Sequence, residues 1–265
     1  MKGVEFSFKR LGILATMTFR ELLHQKVSAL FALLFFLFLA VGSLLVAVSF
    51  QEKTLLFQEM FLSLFSLFLN LLAIVASAPL LTFSGEEVMI LARAVPRFEY
   101  FLGKLLGVLL LLFMASSYFG VISLLSQSFW SIILVGPLFF IALLGAFMKA
   151  ALLAAMTLLI STIASSSLFA IVASLAFYVM GHIEAAAQQL CTRLALVHGW
   201  TEHVLQMLLY LVPDLSLFNM SEHEGVSITE CISYFLEMMK LGSLYFGIYV
   251  FLGCFLFERR ESANA

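Results

Sequence analysis

"IILVGPLFFIALLGAFMKAALLAAMTLLI", Ile132–Ile160, carries a single charged side chain, Lys149. A bilayer core about 30 Å thick is crossed by about 20 apolar residues rising about 1.5 Å each. This run is long enough to cross with some tilt, or with a break near Pro137. Five more apolar runs flank it: Ser28–Phe50, Met60–Phe83, Leu105–Leu125, Leu168–Gly181 with a polar extension to about Leu190, and Leu241–Phe257. None alternates in the way a transmembrane β-strand does. Composition agrees, with 63% hydrophobic and 11% charged residues and a mean hydropathy of +1.10. A soluble domain has about 45–50% and about 25%, and a soluble fold this oily lacks the polar surface to cover itself. The expectation is an all-α integral membrane protein, six transmembrane helices forming one domain over residues 1–265. The first run exceeds the h-region of a signal peptide and comes after a polar amphipathic segment, so it reads as a retained helix.

The net charge of -2 matters less than where the charges lie. Lys2, Lys9, Arg10, Arg20 and Lys26 precede span one; Arg93, Arg97 and Lys104 separate spans two and three; Arg259 and Arg260 come after span six. Six spans put these three regions on one side, which the positive-inside rule makes cytoplasmic. The opposite side has Lys53, Arg193 and Lys240 against acids that include Glu52, Glu59, Glu202, Asp214, Glu222 and Glu224. Both termini are expected in the cytoplasm, with the chain in the cell membrane. Lys149, mid-span, either faces protein, water or a subunit interface, as a pathway contact would, or sends its long stem toward the headgroups.

Three segments do not span. "LGILATMTFRELLHQK", residues 11–26, places Leu11, Leu14, Phe19, Leu22 and Leu23 on one face with Arg20, Glu21 and His24 flanking. That pattern suits a helix lying in the membrane interface, or a plain extension of span one. The region 84–104 is charged: on a helix from Glu86 to Val95, Glu86 and Arg93, seven apart, share a face with Glu87 beside them. Val88, Leu91, Ala92 and Val95 lie opposite, and Pro96 ends the turn. Such a face either meets a partner or is simply solvated. The link 191–240 between spans five and six is long enough to carry structure of its own. Within it Val204–Val212 is too short to span and stops before Pro213, and Asp214 is placed to cap the next turn of chain. His182, His198, His203 and His223 gather there with Cys191 and Cys231. Their spacing matches no usual zinc set, and no metal site is expected; a Cys191–Cys231 disulfide stays open. Cys254 reads as a small apolar residue.

No catalytic residues are assigned. A P-loop requires GxxxxGK[ST], and the sole Gly-Lys, Gly103–Lys104, lacks the first glycine and is followed by Leu105. A CAAX-type membrane protease carries EExxxR. Here Leu91 stands where the arginine belongs, and Arg93 comes two residues late, about 200° around the helix.

"GEEVMILARAVPRFEYFLGKLLG" resembles the segment after span two in ABC-2-type transporter permeases, where an acidic residue, a short helix, a P-R turn, then GK and an apolar helix recur. Glu86 or Glu87, Pro96–Arg97 and Gly103–Lys104 match it. "FRELLHQK", with Phe19, Arg20 and Glu21, resembles the family's elbow helix. "YLVPDLSLFN", with Pro213, Asp214, Phe218 and Asn219, is similar to an element after span five in the branch of the nitrous-oxide-reductase maturation permease, with Asp214 where Asn is common. The resemblance implies a permease half-transporter, an exporter, pairing as a homodimer with two copies of a separate ATPase that holds ATP and Mg. The coupling contacts would be Glu86, Glu87, Arg93, Pro96, Arg97, Gly103 and Lys104. Asn70, Ser116, Ser117 and Tyr118, with Lys149, would face the pathway or dimer seam, or else pack ordinarily. The partners implied are the ATPase, a second permease and the lipid bilayer, with no nucleic acid. The competing readings are the protease and a secondary transporter without an ATPase.

Overall fold

A computed structural model describes residues 7–24, 53–82, 96–130, 137–194, 213–218 and 228–259. The first apolar run, Ser28–Phe50, the stretch Glu86–Val95 and the segment Val204–Val212 lie outside them. The described residues are helical, with no strand: α1 (Phe8–His24), α2 (Lys53–Ser77), α3 (Arg97–Trp130), α4 (Pro137–Ile163), α5 (Ser167–Leu194) and α6 (Ile228–Arg259). Four of these, α2, α3, α4 and α6, are long and apolar enough to cross a membrane. The apolar part of α5, Ser167–Ile183, is shorter.

Helix ends obey local chemistry. Pro79 has no N–H to give, and its ring crowds the preceding turn, so α2 tightens into a 3-10 turn at Ala78–Leu80. That leaves the Ala78 carbonyl to a neighbour, and Ser161 Oγ of α4 donates to it at 2.8 Å. In an apolar interior such a cross-helix bond satisfies a group that water cannot reach. Between α4 and α5 only Ala164–Ser166 intervene, and Ser166 Oγ accepts from Phe169 N at 3.3 Å, an N-cap for α5. So short a turn makes α4 and α5 antiparallel neighbours.

Helix α4 is central, touching α2, α3, α5 and α6. Its stretch from Ala150 to Leu158 is buried all round, and its many alanines let the neighbouring backbones come close. Helix α1 packs on the first half of α3 through Ala15, Thr18 and Leu22, which are buried. The approach is close because α3 offers Gly103 and Gly107. A Cβ on Gly103 would lie 2.6 Å from Leu14 Cβ, and one on Gly107 would lie 2.6 Å from Thr18 Cβ.

Two sequence boundaries move. The region 84–104, read as one coupling element, divides: Arg97–Lys104 is already the start of α3. Pro96 heads that helix, with Tyr100 N donating to Pro96 O at 3.1 Å, and no further proline follows until Pro137. The long link 191–240 also shrinks. Helix α5 continues to Leu194 and α6 begins at Ile228, so residues 195–227 remain between them. Polar side chains need not end a helix; they end only the apolar run that a hydropathy window detects.

Candidate functional site

A cavity of about 120 Å³ lies between α2, α4 and α5. Helical spacing assembles its walls. Leu62, Ser63, Ser66 and Leu67 come from successive turns of α2; Ala142, Ala146 and Lys149 from one face of α4; Tyr178 and His182, four apart, from α5. Phe218 closes one side. Lys149 is 1% exposed, and its Nζ lies 2.8 Å from His182 Nε2. His182 Nδ1 lies 2.8 Å from the Tyr178 carbonyl oxygen. A carbonyl only accepts, so Nδ1 carries the hydrogen, and the Nε2 of a neutral ring then accepts from the Lys149 ammonium. The Tyr178 ring stacks at a tilt on His182, centroids 4.4 Å apart, and its centroid is 5.8 Å from Lys149 Nζ. One turn further along α2, Asn70 Nδ2 donates to Ser66 Oγ at 3.4 Å. Asn70 Oδ1 is buried with no hydrogen-bond partner among the described residues.

The turn carrying Phe218 is built by its own side chains. Asp214 Oδ1 accepts from Ser216 N at 2.9 Å and from Ser216 Oγ at 2.6 Å. This is the capping role that its position suggests, here at the 3-10 turn Ser216–Phe218. Leu215 N donates to Gly181 O at 2.9 Å. Gly181 is required there, since a Cβ would sit 2.7 Å from Leu215 side-chain atoms. Pro213, Leu215 and Phe218 are buried, so this element is wedged beside His182.

The end of the bundle holding α1 is charged instead. Glu99, 1% exposed, accepts from Ser7 N at 3.0 Å and from Arg10 Nη2 at 3.1 Å. Arg10 Nε stands 3.0 Å from Glu99 Oε2. Lys104 Nζ meets Glu21 Oε2 at 3.1 Å, and Arg97 Nη1 donates to Glu258 O at 3.1 Å, fastening the start of α3 to the end of α6.

Of the residues expected to contact an ATPase, Glu86, Glu87 and Arg93 lie outside the described residues. Gly103 and Lys104 seat α1, and Arg97 holds α6. Phe19 is half-buried toward the core, while Arg20 and Glu21 are exposed. Asn70 and Ser116 are buried, but Ser117 and Tyr118 are exposed, so the four do not share one surface. Ser116 Oγ is satisfied locally by Phe113 O at 3.0 Å. Asn219 lies outside the described residues, as do His198, His203 and His223. Lys149 turns to protein rather than toward the headgroups. Cys254 is half-buried against the core. Sequence reasoning missed Ser63, Ser66 and Tyr178 as companions of Lys149, and grouped His182 with an outer histidine cluster. The available signal was symmetry: Lys149 and His182 stand nearly equidistant from the Ala164–Ser166 turn, which brings them to one depth. No protein-family model and no curated protein matches the chain, so the functional reading rests on its own residues.

Proposed function

We propose that this chain is the transmembrane permease subunit of an ATP-binding-cassette exporter, working as a homodimer in the cell membrane and driven by a separate ATPase that carries ATP and Mg. The observation supporting this is the clamp of α1 onto the beginning of α3 through Gly103, Gly107, Arg10–Glu99 and Glu21–Lys104. Residues 83–95 lead directly into α3. A partner pushing on Glu86, Glu87 or Arg93 would move α3 and α1 as one body, and Arg97 would carry the displacement to α6. Rigid-body displacement of packed helices is how such a push reaches a distant site. On this reading α1 is the interfacial elbow, 83–95 the coupling segment, both termini are cytoplasmic, and Ser28–Phe50 and α5 complete six spans. With no P-loop in the sequence, nucleotide binding of that kind would fall to the separate ATPase.

The test is co-expression with a Walker-A ATPase encoded by a neighbouring reading frame. The two proteins should co-purify, and reversing Glu86, Glu87 and Arg93 together should release the ATPase while leaving the permease folded. Transport by the chain alone, driven by an ion gradient, would instead establish the secondary transporter. One observation favours that second reading: ionisable groups buried within membrane helices commonly mark ion pathways, and Lys149 and His182 are such a pair.

A further inference from the structure

We infer that the outer face of α1 is a docking surface for anionic phospholipid headgroups at the membrane interface. The packing of α1 on α3 fixes which face looks outward. Arg10 stands beside Glu99, Leu14 beside Gly103 and Thr18 beside Gly107, turn after turn along both helices. At about 100° per residue, Lys9, Ile13, Met17, Arg20 and His24 then share the opposite side, within about a quarter turn of one another. All five are exposed, Ile13 at 56% and Met17 at 64%.

Charge and apolar surface on this face match a lipid interface. The other charges of α1 are engaged within the protein, Arg10 with Glu99 and Glu21 with Lys104. The side chains of Lys9, Arg20 and His24 have no hydrogen-bond or ion-pair partner among the described residues, and Glu21 is the only acid in Phe8–His24. Ile13 and Met17 stand between Lys9 towards one end and Arg20 towards the other. A face of that kind buries its apolar side chains at the acyl boundary while long cationic side chains reach the phosphates. The level fits as well. Helix α1 lies along the turns of α3 that carry Glu99 and Lys104, just before the apolar run that begins at Leu105. A crossing helix passes there from headgroups to hydrocarbon. The phosphodiester of an anionic lipid accepts charge-assisted hydrogen bonds from Lys and Arg, with no headgroup cation to offset them.

The inference rests on the placement of α1 at the interface and needs no ATPase. The full chain carries Trp130→Phe, Trp200→Phe and Met17→Trp, so that the indole on α1 is the sole one, and sits in phosphatidylcholine nanodiscs. A small, equal fraction of the lipid is replaced by brominated phosphatidylglycerol or by brominated phosphatidylcholine, and quenching of the indole is measured. The brominated phosphatidylglycerol should quench as though enriched about fivefold or more beside α1, and the excess should fade in high salt. Lys9→Gln with Arg20→Gln, both at exposed positions, should bring the two lipids to near-equal quenching. Should the tryptophan variant fail to fold, native mass spectrometry decides, counting phosphatidylglycerol against phosphatidylcholine retained by the unaltered chain and by the Lys9→Gln, Arg20→Gln variant. Equal quenching by the two brominated lipids overturns the inference and leaves the interfacial placement of α1 standing. No quenching by either, with the face turned to water or to protein, overturns both. An excess that the double substitution leaves unchanged also overturns the inference.

Discussion

Charge is held differently in the two halves of this bundle. At the seam of α1 and α3, opposite charges meet: Arg10, about a third exposed, meets the buried Glu99, and Lys104 meets Glu21 near the surface. In the cavity of α2, α4 and α5, the buried Lys149 meets His182 at 2.8 Å. The seam uses charge to fix where one helix lies on another, with glycines supplying the closeness. The cavity keeps a lysine at a depth where packing alone would favour an apolar residue. A structural role explains the first arrangement, and the second buries a polar pair between three helices.

Four substitutions separate the two. Gly107→Leu should be the most damaging. Even its Cβ would press on Thr18 Cβ and stand 3.0 Å from Ala15 O. Overpacking should cost about 3 kcal/mol, read as a lowered unfolding midpoint and as protease cleavage at α1. Glu99→Gln keeps an acceptor but removes the charge facing Arg10. Because Arg10 still reaches water, the loss should be about 2 kcal/mol rather than the full penalty of a wholly buried pair. Denaturant titration of the purified protein measures it. Lys149→Met should change stability by about 1 kcal/mol or less, since an apolar chain of similar length replaces a buried cation. A loss as large as that of Glu99→Gln would make Lys149 a structural strut and dissolve the contrast. Glu21→Ala should be the mildest, at about 0.5 kcal/mol and vanishing in high salt, because Glu21 is 43% exposed. Unfolding at low and high ionic strength tests the salt dependence.

Much of the frame was legible from hydropathy. Spans two, three, four and six correspond to α2, α3, α4 and α6, and the amphipathic segment before span one corresponds to α1. The buried side of α1 was legible too, since Leu11, Leu14, Phe19, Leu22 and Leu23 are partly or fully buried as their spacing implies. Boundaries were not, because hydropathy reports where apolar residues stop, whereas α3 and α6 run on through charged turns. The role of Gly103 was visible only as half of a GK pair. Its companion Gly107 gives G-x-x-x-G, a spacing associated with close helix contact. Lys149 stood out as the lone charge in its run, but nothing along the chain named its partner.

The sequence by itself determined the apolar character of this protein and its long helices: four of the described helices are long and apolar enough to cross a bilayer, a solvent that demands that backbone groups pair within helices. Only the tertiary structure decided which polar residues meet. Whether Lys149 faces lipid or His182, and whether Lys104 faces a partner or Glu21, depends on the rotation of each helix and on the short α4–α5 turn. Those are set by packing between segments far apart in the chain, which no local pattern records.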